Sequence, residues 1–219
     1  MKKKRFLNVI VAMLVVAGLF SNGIEVQAKS FPEVPSDSWF APYVDYVSNA
    51  GLITGDANGN FNPYNEFTRG EVATSFYRLT GSPNVKYAPL FHDVPDGVFY
   101  SKAITWCYYN GIITGYENGN FGPNDPITRE QYVTILYRYS KYRGFKITAN
   151  GDYSNYPDAN KVSGFAKDAM KFALQYGIIS GDQGYLNPQG TVNRAVGATM
   201  LTRYDRQIVQ NTHTNPGGL

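Results

Sequence analysis

The sequence is poor in the residue types that build metal sites and catalytic triads. Its 219 residues include one cysteine and two histidines, so an intramolecular disulfide is excluded and stability must come from packing. No Ser-His-Asp set, metal cluster or repeated carboxylate pair emerges. We therefore expect no catalytic residue, no metal, no cofactor and no enzyme activity. The lone thiol, Cys107, is expected to be a packed apolar side chain.

Beyond the first 28 residues, the sequence lacks an apolar run long enough to cross a bilayer. The opening segment has bases at residues 2–5, an apolar run at residues 9–20, and small residues before and at Ala28. This order is typical of a secretory signal peptide, predicted over residues 1–28, with an uncleaved anchor as the alternative. We expect a secreted protein without a transmembrane segment after cleavage.

The remainder also lacks an excess of either charge. The chain has 20 Lys+Arg and 17 Asp+Glu, and residues 1–28 hold four of those bases and one of those acids. Residues 29–219 therefore carry 16 bases and 16 acids. A basic surface for nucleic acid is not supported, and nucleic acid is not an expected partner. Aromatic residues, by contrast, reach 15%, a level often found in secreted proteins that bind sugars.

Internal repetition is the feature that the sequence has in abundance. The segments GLITG, GIITG and GIISG are each preceded by FPEV, FHDV or YPDA and followed by GNFNP, GNFGP or GYLNP. FTRGE, ITREQ and VNRAV come next, and an apolar stretch with an arginine closes each unit: FYRL, LYRY, LTRY. We predict repeats at residues 29–84, 85–145 and 146–209, a loop at residues 144–155 that joins the second and third repeats, and a disordered tail at 210–219.

Each unit is predicted to form a helix, a turn and a second helix. Phe40, Val44 and Val47 lie at the i, i+4, i+7 spacing of one helix face, and Gly51 follows where a left-handed residue ends a helix. Thr68 then begins the second helix with a capping box. One such pair buries too little apolar surface alone. We therefore predict an all-α fold of three helix-loop-helix repeats around a pseudo-threefold axis.

The turn at residues 55–63, GDANGNFNP, has the alternating oxygens that begin a calcium loop. Such a loop needs glycine at its sixth position and glutamate at its twelfth, but counting from Asp56 these are Phe61 and Phe67. Across the repeats the persistent residues are glycine, an aromatic or leucine, and proline. This composition favours a tight turn with an apolar plug over a calcium site.

Together these motifs resemble the S-layer homology domain, over residues 31 to about 208. The resemblance implies a three-pronged helical unit that holds secreted proteins non-covalently on a bacterial cell wall. Its implied ligand is a secondary cell wall polysaccharide that carries pyruvylated N-acetylmannosamine and lies in grooves between repeats. The family motif at those grooves is close to ITRAE.

That motif supplies the candidate site, because its arginine is present in all three copies. The third copy departs from the pattern at Asn193 and Val196, which puts its groove in doubt. The candidate ligand-binding residues are Arg69, Arg129, Arg194, Thr68, Thr128, Asn193, Glu71, Gln131, Gly55, Gly115 and Gly181.

The position of each arginine, one residue after a helix cap, also suggests an anion site on physical grounds. Unpaired N–H groups and a partial positive charge mark a helix N-terminus, and a guanidinium fork suits a carboxylate such as that of a pyruvyl ketal. The structural alternative pairs each arginine with Glu33, Asp93 or Asp158, the acids that open the repeats. For the aromatics before the first helices, Trp39, Phe99 and Phe165, apolar periodicity favours the core over a sugar platform.

Other functions stay open at this point. The grooves could take acidic groups of another exported protein, which would make the chain a protein-protein adaptor at the cell surface. It could also bind peptidoglycan directly. A glycan-processing enzyme is disfavoured because its acids form no repeated pair.

Overall fold

The structure is a computed structural model that describes residues 31–211. The predicted signal peptide and most of the predicted tail lie outside these residues. In this range the chain forms six α-helices and no β-strand: α1 Ala41–Asn49, α2 Arg69–Leu79, α3 Ser101–Tyr109, α4 Arg129–Arg143, α5 Lys167–Gln175 and α6 Arg194–Tyr204. Two 3-10 turns, Ala159–Lys161 and Gly164–Ala166, precede α5, and a π-helix, Asp205–Gln210, follows α6. The predicted all-α fold is confirmed.

None of the helices in residues 31–211 is both long and apolar enough to cross a membrane.

The first helix of each repeat ends at the predicted glycine. Gly51, Gly111 and Gly177 have φ values of 67°, 66° and 61°, a left-handed conformation that other residues adopt only with strain. In the first repeat the N–H of Leu52 donates back to the Val47 carbonyl at 2.8 Å. This bond closes the helix and sends the chain into the turn that precedes the second helix.

The second helices begin at the predicted caps. Thr68 accepts the backbone N–H of Glu71, whose carboxylate accepts the backbone N–H of Thr68 in return. Thr128 and Gln131 form the same box. Asn193 also caps its helix, by accepting the N–H three residues on at 2.9 Å, but has no reciprocal partner because valine occupies that position. Sequence prediction was correct for all three helix starts.

Helices of neighbouring repeats pack against each other in pairs. Helix α2 of the first repeat packs on α3 of the second, and α4 of the second packs on α5 of the third. Helix α6 of the third repeat returns to pack on α1 of the first. The described chain therefore closes into a ring of three helix pairs, and each repeat contributes one helix to each of two pairs.

A cycle of backbone hydrogen bonds lies at the centre of this ring. Phe67 donates to the Val192 carbonyl at 2.8 Å, Val192 to the Ile127 carbonyl at 2.9 Å, and Ile127 to the Phe67 carbonyl at 2.9 Å. All three side chains are fully buried. Equivalent residues of the three repeats thus bond in rotation, which confirms the pseudo-threefold arrangement.

Two smaller predictions also have clear outcomes. Cys107 is fully buried, with its Sγ 3.6 Å from the Ala73 carbonyl oxygen, and burial raises the pKa of its thiol. Asp56 uses its carboxylate inside its own turn, where it accepts the N–H groups of Asn58 and Asn60 and the side-chain amide of Asn62, each at 2.9 Å. These bonds are those of a polar turn.

Candidate functional site

Each motif arginine lies at the first position of a second helix and extends into the next repeat around the ring. Arg69 Nε donates to the Phe121 carbonyl at 2.9 Å and its Nη2 to the Thr114 carbonyl at 2.8 Å. The equivalent acceptors are Leu186 and Ser180 for Arg129, and Phe61 and Thr54 for Arg194. Each guanidinium therefore ties two repeats together through backbone carbonyls.

The helix N-termini beneath these arginines are occupied. The backbone N–H of Arg69 donates to the Asp125 carbonyl at 3.0 Å and that of Gly70 to the Pro123 carbonyl at 2.8 Å. The N–H of Glu71 is taken by the Thr68 cap. Helices α4 and α6 have the same pattern. The expectation that unpaired N–H groups would receive an anion is therefore wrong, because the neighbouring repeat already supplies their acceptors.

The proposed pairing of these arginines with the acids that open the repeats is also wrong. Asp93 accepts the backbone N–H groups of Phe121 and Gly122, each at 2.7 Å. Asp158 accepts the N–H groups of Leu186 and Asn187 in the same way, with one oxygen for each. Glu33 accepts those of Phe61 and Asn62 with a single oxygen, Oε1. One turn residue in each repeat therefore makes both contacts. Phe121, for example, donates its N–H to Asp93 of its own repeat and accepts, through its carbonyl, a hydrogen bond from Arg69 of the preceding repeat.

Two clefts open where repeats meet, and we name each after its motif arginine. The Arg69 groove has a volume of about 200 Å³. The Arg194 groove has a volume of about 550 Å³. Residues that line the Arg69 groove include Arg69, Gly115, Tyr116, Gln131, Arg138 and Phe165. Residues that line the Arg194 groove include Arg194, Gly55, Thr68, Glu71, Arg78 and Phe99.

The structure therefore brings predicted site residues together across repeats. Arg69 shares a groove with Gln131 and Gly115 of the second repeat. Arg194 shares one with Thr68, Glu71 and Gly55 of the first repeat. At the third junction, Arg129 bonds the Ser180 carbonyl, which precedes Gly181. Thr128 and Asn193 lie at the N-caps of α4 and α6.

The three candidate glycines are explained by close packing. A Cβ at Gly55 would lie 2.7 Å from a ring carbon of Phe31, and one at Gly181 would lie 2.6 Å from a ring carbon of Tyr156. Gly115 faces the Phe91 ring in the same way. The aromatic residue that begins the FPEV, FHDV or YPDA segment thus requires glycine at this position. Gly55 and Gly115 also line the two grooves.

The aromatics before the first helices are exposed, so their predicted place in the core is wrong. Trp39, Phe99 and Phe165 are 60%, 65% and 56% exposed. Phe165 lines the Arg69 groove and Phe99 lines the Arg194 groove. An exposed aromatic ring therefore lies beside charged side chains in each of these two grooves.

Sequence reasoning missed a second arginine in each groove. Arg138 lines the Arg69 groove and Arg78 lines the Arg194 groove. Both belong to the apolar stretch that closes each repeat, FYRL or LYRY. A charged residue at the same place in every copy was the available signal, since apolar packing does not call for it.

Buried contacts hold the Arg69 head in one orientation. Its guanidinium carbon lies 4.6 Å from the Tyr116 ring centroid and 4.8 Å from that of Phe121. Burial lowers the pKa of Arg69, and the nearby Tyr116, Asp125 and Asp93 oppose that shift, so the head stays charged at any ordinary pH. Its third nitrogen, Nη1, has no hydrogen-bond partner in residues 31–211, whereas that of Arg194 pairs with Glu71.

Comparison with known proteins identifies the repeats. The profile of the S-layer homology domain matches residues 30–73, 90–133 and 155–195, one segment in each repeat. The chain is 29% identical to the surface-layer 125 kDa protein of Lysinibacillus sphaericus, over 98% of this chain and 18% of that protein. It is 28% identical to an endoglucanase of Bacillus sp. (strain KSM-635), over 91% of this chain and 22% of that protein. It is 29% identical to the S-layer protein sap of Bacillus anthracis, over 89% and 23%. The chain spans about a fifth of the length of these relatives.

Proposed function

The chain belongs to the S-layer homology domain family, and from this premise we propose that its grooves bind an anionic, pyruvylated secondary cell wall polysaccharide. The family and the S-layer relatives support a secreted cell-surface module that anchors without catalysis. Binding of this polysaccharide would attach the module, and any protein joined to it, to the wall without a covalent bond.

The observation that carries the proposal is that Nη1 of Arg69 has no hydrogen-bond partner within residues 31–211. Two of its nitrogens are fixed on carbonyls of the second repeat, so the head is rigid before any ligand arrives. The remaining nitrogen belongs to a side chain that lines an open groove. A pre-oriented guanidinium is a strong partner for a carboxylate. A pyruvyl ketal supplies that carboxylate on an otherwise neutral sugar, and the exposed ring of Phe165 can take the sugar face.

Several weak grooves on one molecule would also act together. A polysaccharide repeats its sugar, so a second groove engages at a high effective concentration once the first has bound. Firm retention on a wall therefore does not require high affinity in any single groove.

The test is sedimentation of the secreted chain with defined wall preparations. We expect retention on walls that carry the pyruvylated polysaccharide, and loss on walls from cells that cannot add pyruvate. Equal retention on both would end the carboxylate proposal. Retention on peptidoglycan stripped of polysaccharide would instead favour a direct peptidoglycan binder. Retention abolished by protease treatment of the walls would favour the protein-protein adaptor.

A further inference from the structure

Four Asn-Gly pairs lie within residues 31–211, and the fold does not protect them equally. Asparagine is among the thermolabile residues, and it is most reactive before glycine, whose missing side chain lets the backbone nitrogen approach closely. The reaction needs two groups to be free: the backbone N–H of the glycine and the side-chain amide of the asparagine. The pairs begin at Asn58, Asn110, Asn118 and Asn150.

Hydrogen bonds hold the attacking nitrogen in three of these pairs. The glycine N–H donates to the carbonyl three residues earlier at 3.1, 3.0 and 3.2 Å respectively: Gly59 to Asp56, Gly111 to Tyr108, and Gly119 to Tyr116. Each of these bonds must break before the nitrogen can react, so the reaction waits for a local opening of the fold.

Two of the same three pairs also have an engaged asparagine side chain. Asn110 Nδ2 donates to the Trp106 carbonyl at 2.7 Å. Asn118 Oδ1 accepts the backbone N–H of Asn120 at 3.0 Å. These contacts hold the side-chain amide away from the following backbone nitrogen.

The pair at Asn150 has neither restraint. Asn150 is exposed, and within residues 31–211 neither its side-chain amide nor the N–H of Gly151 has a hydrogen-bond partner. The backbone N–H of Asn150 donates to Gln175 Oε1 at 2.8 Å. The chain is therefore anchored just before the reactive peptide unit, whereas both reacting groups are unoccupied.

Close packing explains why glycine follows this asparagine. A Cβ at Gly151 would lie 2.2 Å from the Lys171 carbonyl oxygen and 2.9 Å from the backbone nitrogen of Gln175, both in α5. The segment at residues 144–155 thus crosses α5 where no side chain fits. The fold requires at this position the residue that makes Asn150 reactive.

We propose that Asn150 is the deamidation site of the folded chain. The backbone nitrogen of Gly151 loses its proton to water and attacks Cγ of Asn150. The bond from Cγ to Nδ2 breaks, and ammonia leaves with a proton taken from water, which gives a five-membered succinimide. Water then hydrolyses one of the two ring C–N bonds, so that residue 150 becomes aspartate or isoaspartate. Water is the only co-reactant, and the product gains a negative charge two residues before Asp152.

Peptide mapping by mass spectrometry tests this proposal on the folded chain, incubated at 37 °C and pH 8 because base favours loss of the N–H proton. We expect conversion at Asn150 to be at least about fivefold faster than at each of the other three pairs, the factor that one net hydrogen bond provides. The same incubation in denaturant is the control. The four rates should then converge, because every pair loses its hydrogen bonds.

Asn150→Gln is the matched variant. It should remove conversion at this position, since the six-membered ring that glutamine would form closes far more slowly, and should leave the other three pairs unchanged. Three results would overturn the proposal: equal rates at the four pairs in the folded chain, faster conversion at a pair whose glycine N–H is bonded, and a preference for Asn150 that persists in denaturant. Absence of conversion at Asn150 in the folded chain, over a time in which the denatured chain converts, would overturn it as well.

Discussion

Replacing Arg69 with alanine should destabilise the fold, whatever the residue contributes to binding. The substitution removes two charge-assisted hydrogen bonds, to the Phe121 and Thr114 carbonyls, and the contacts with the Tyr116 and Phe121 rings. These contacts join the first repeat to the second. Their loss would loosen one of the three junctions that close the ring.

The expected magnitude depends on the number and type of these contacts. A hydrogen bond to a charged group contributes about 1.5–3 kcal/mol, and removing one partner leaves the buried carbonyl unsatisfied. Part of this is offset, because the variant no longer buries a cation. We therefore expect a net loss of about 3 kcal/mol. For a chain of this size that corresponds to a fall in Tm of roughly 6–12 °C.

Thermal unfolding followed by far-UV circular dichroism measures this effect, with no ligand present. R69K is the informative second variant, since an ammonium keeps the charge but cannot form the same fork, and we expect an intermediate Tm. R138Q is the matched control in the same groove and should change stability by less than about 0.5 kcal/mol. A Tm for R69A equal to that of the unaltered chain would refute the structural role of Arg69.

Three further predictions concern stability and reactivity. Glu33→Asp should raise the free energy of unfolding by about 1 kcal/mol, because Glu33 leaves one buried carboxylate oxygen without a partner. The aspartates at 93 and 158, by contrast, use both oxygens. Chemical denaturation measures the change, and a lower unfolding midpoint would contradict this interpretation. Thr128→Ala should lower stability by about 1 kcal/mol through loss of a helix cap, and Thr128→Ser should restore most of it in the same titration. Cys107 should resist a thiol reagent at pH 8 in the native protein and react at once in denaturant, since burial raises the pKa of its thiol; rapid labelling of the native protein would contradict its packed position.

Local sequence was sufficient to predict the helices, since their signals lie within a few residues. Capping boxes, left-handed glycines and i, i+4 apolar spacing all depend on near neighbours. The repeats then implied a pseudo-threefold arrangement, because one helix pair buries too little surface alone. Thr68, Thr128 and Asn193 are where these rules place them.

The partners of long side chains could not be predicted in this way. Arg69 follows its own cap by one residue, yet its acceptors lie 45 and 52 residues further along the chain. Which neighbouring unit a side chain reaches depends on how repeats are arranged around the axis. The exposure of Trp39, Phe99 and Phe165 was missed for the same reason, because periodicity identifies a helix face and not what covers it.

The cross-repeat arrangement also changes how departures from the motif are interpreted. Taking each repeat alone placed the doubt on the third copy, which has Val196 where the others have Glu71 and Gln131. Each groove, however, combines an arginine from one repeat with this position in the next. Arg194 therefore meets Glu71, Arg69 meets Gln131, and the pseudo-threefold relation places Val196 at the junction with Arg129. Substitutions in one repeat alter the groove of a neighbouring arginine, so the charge of each groove has to be evaluated for a junction between two repeats.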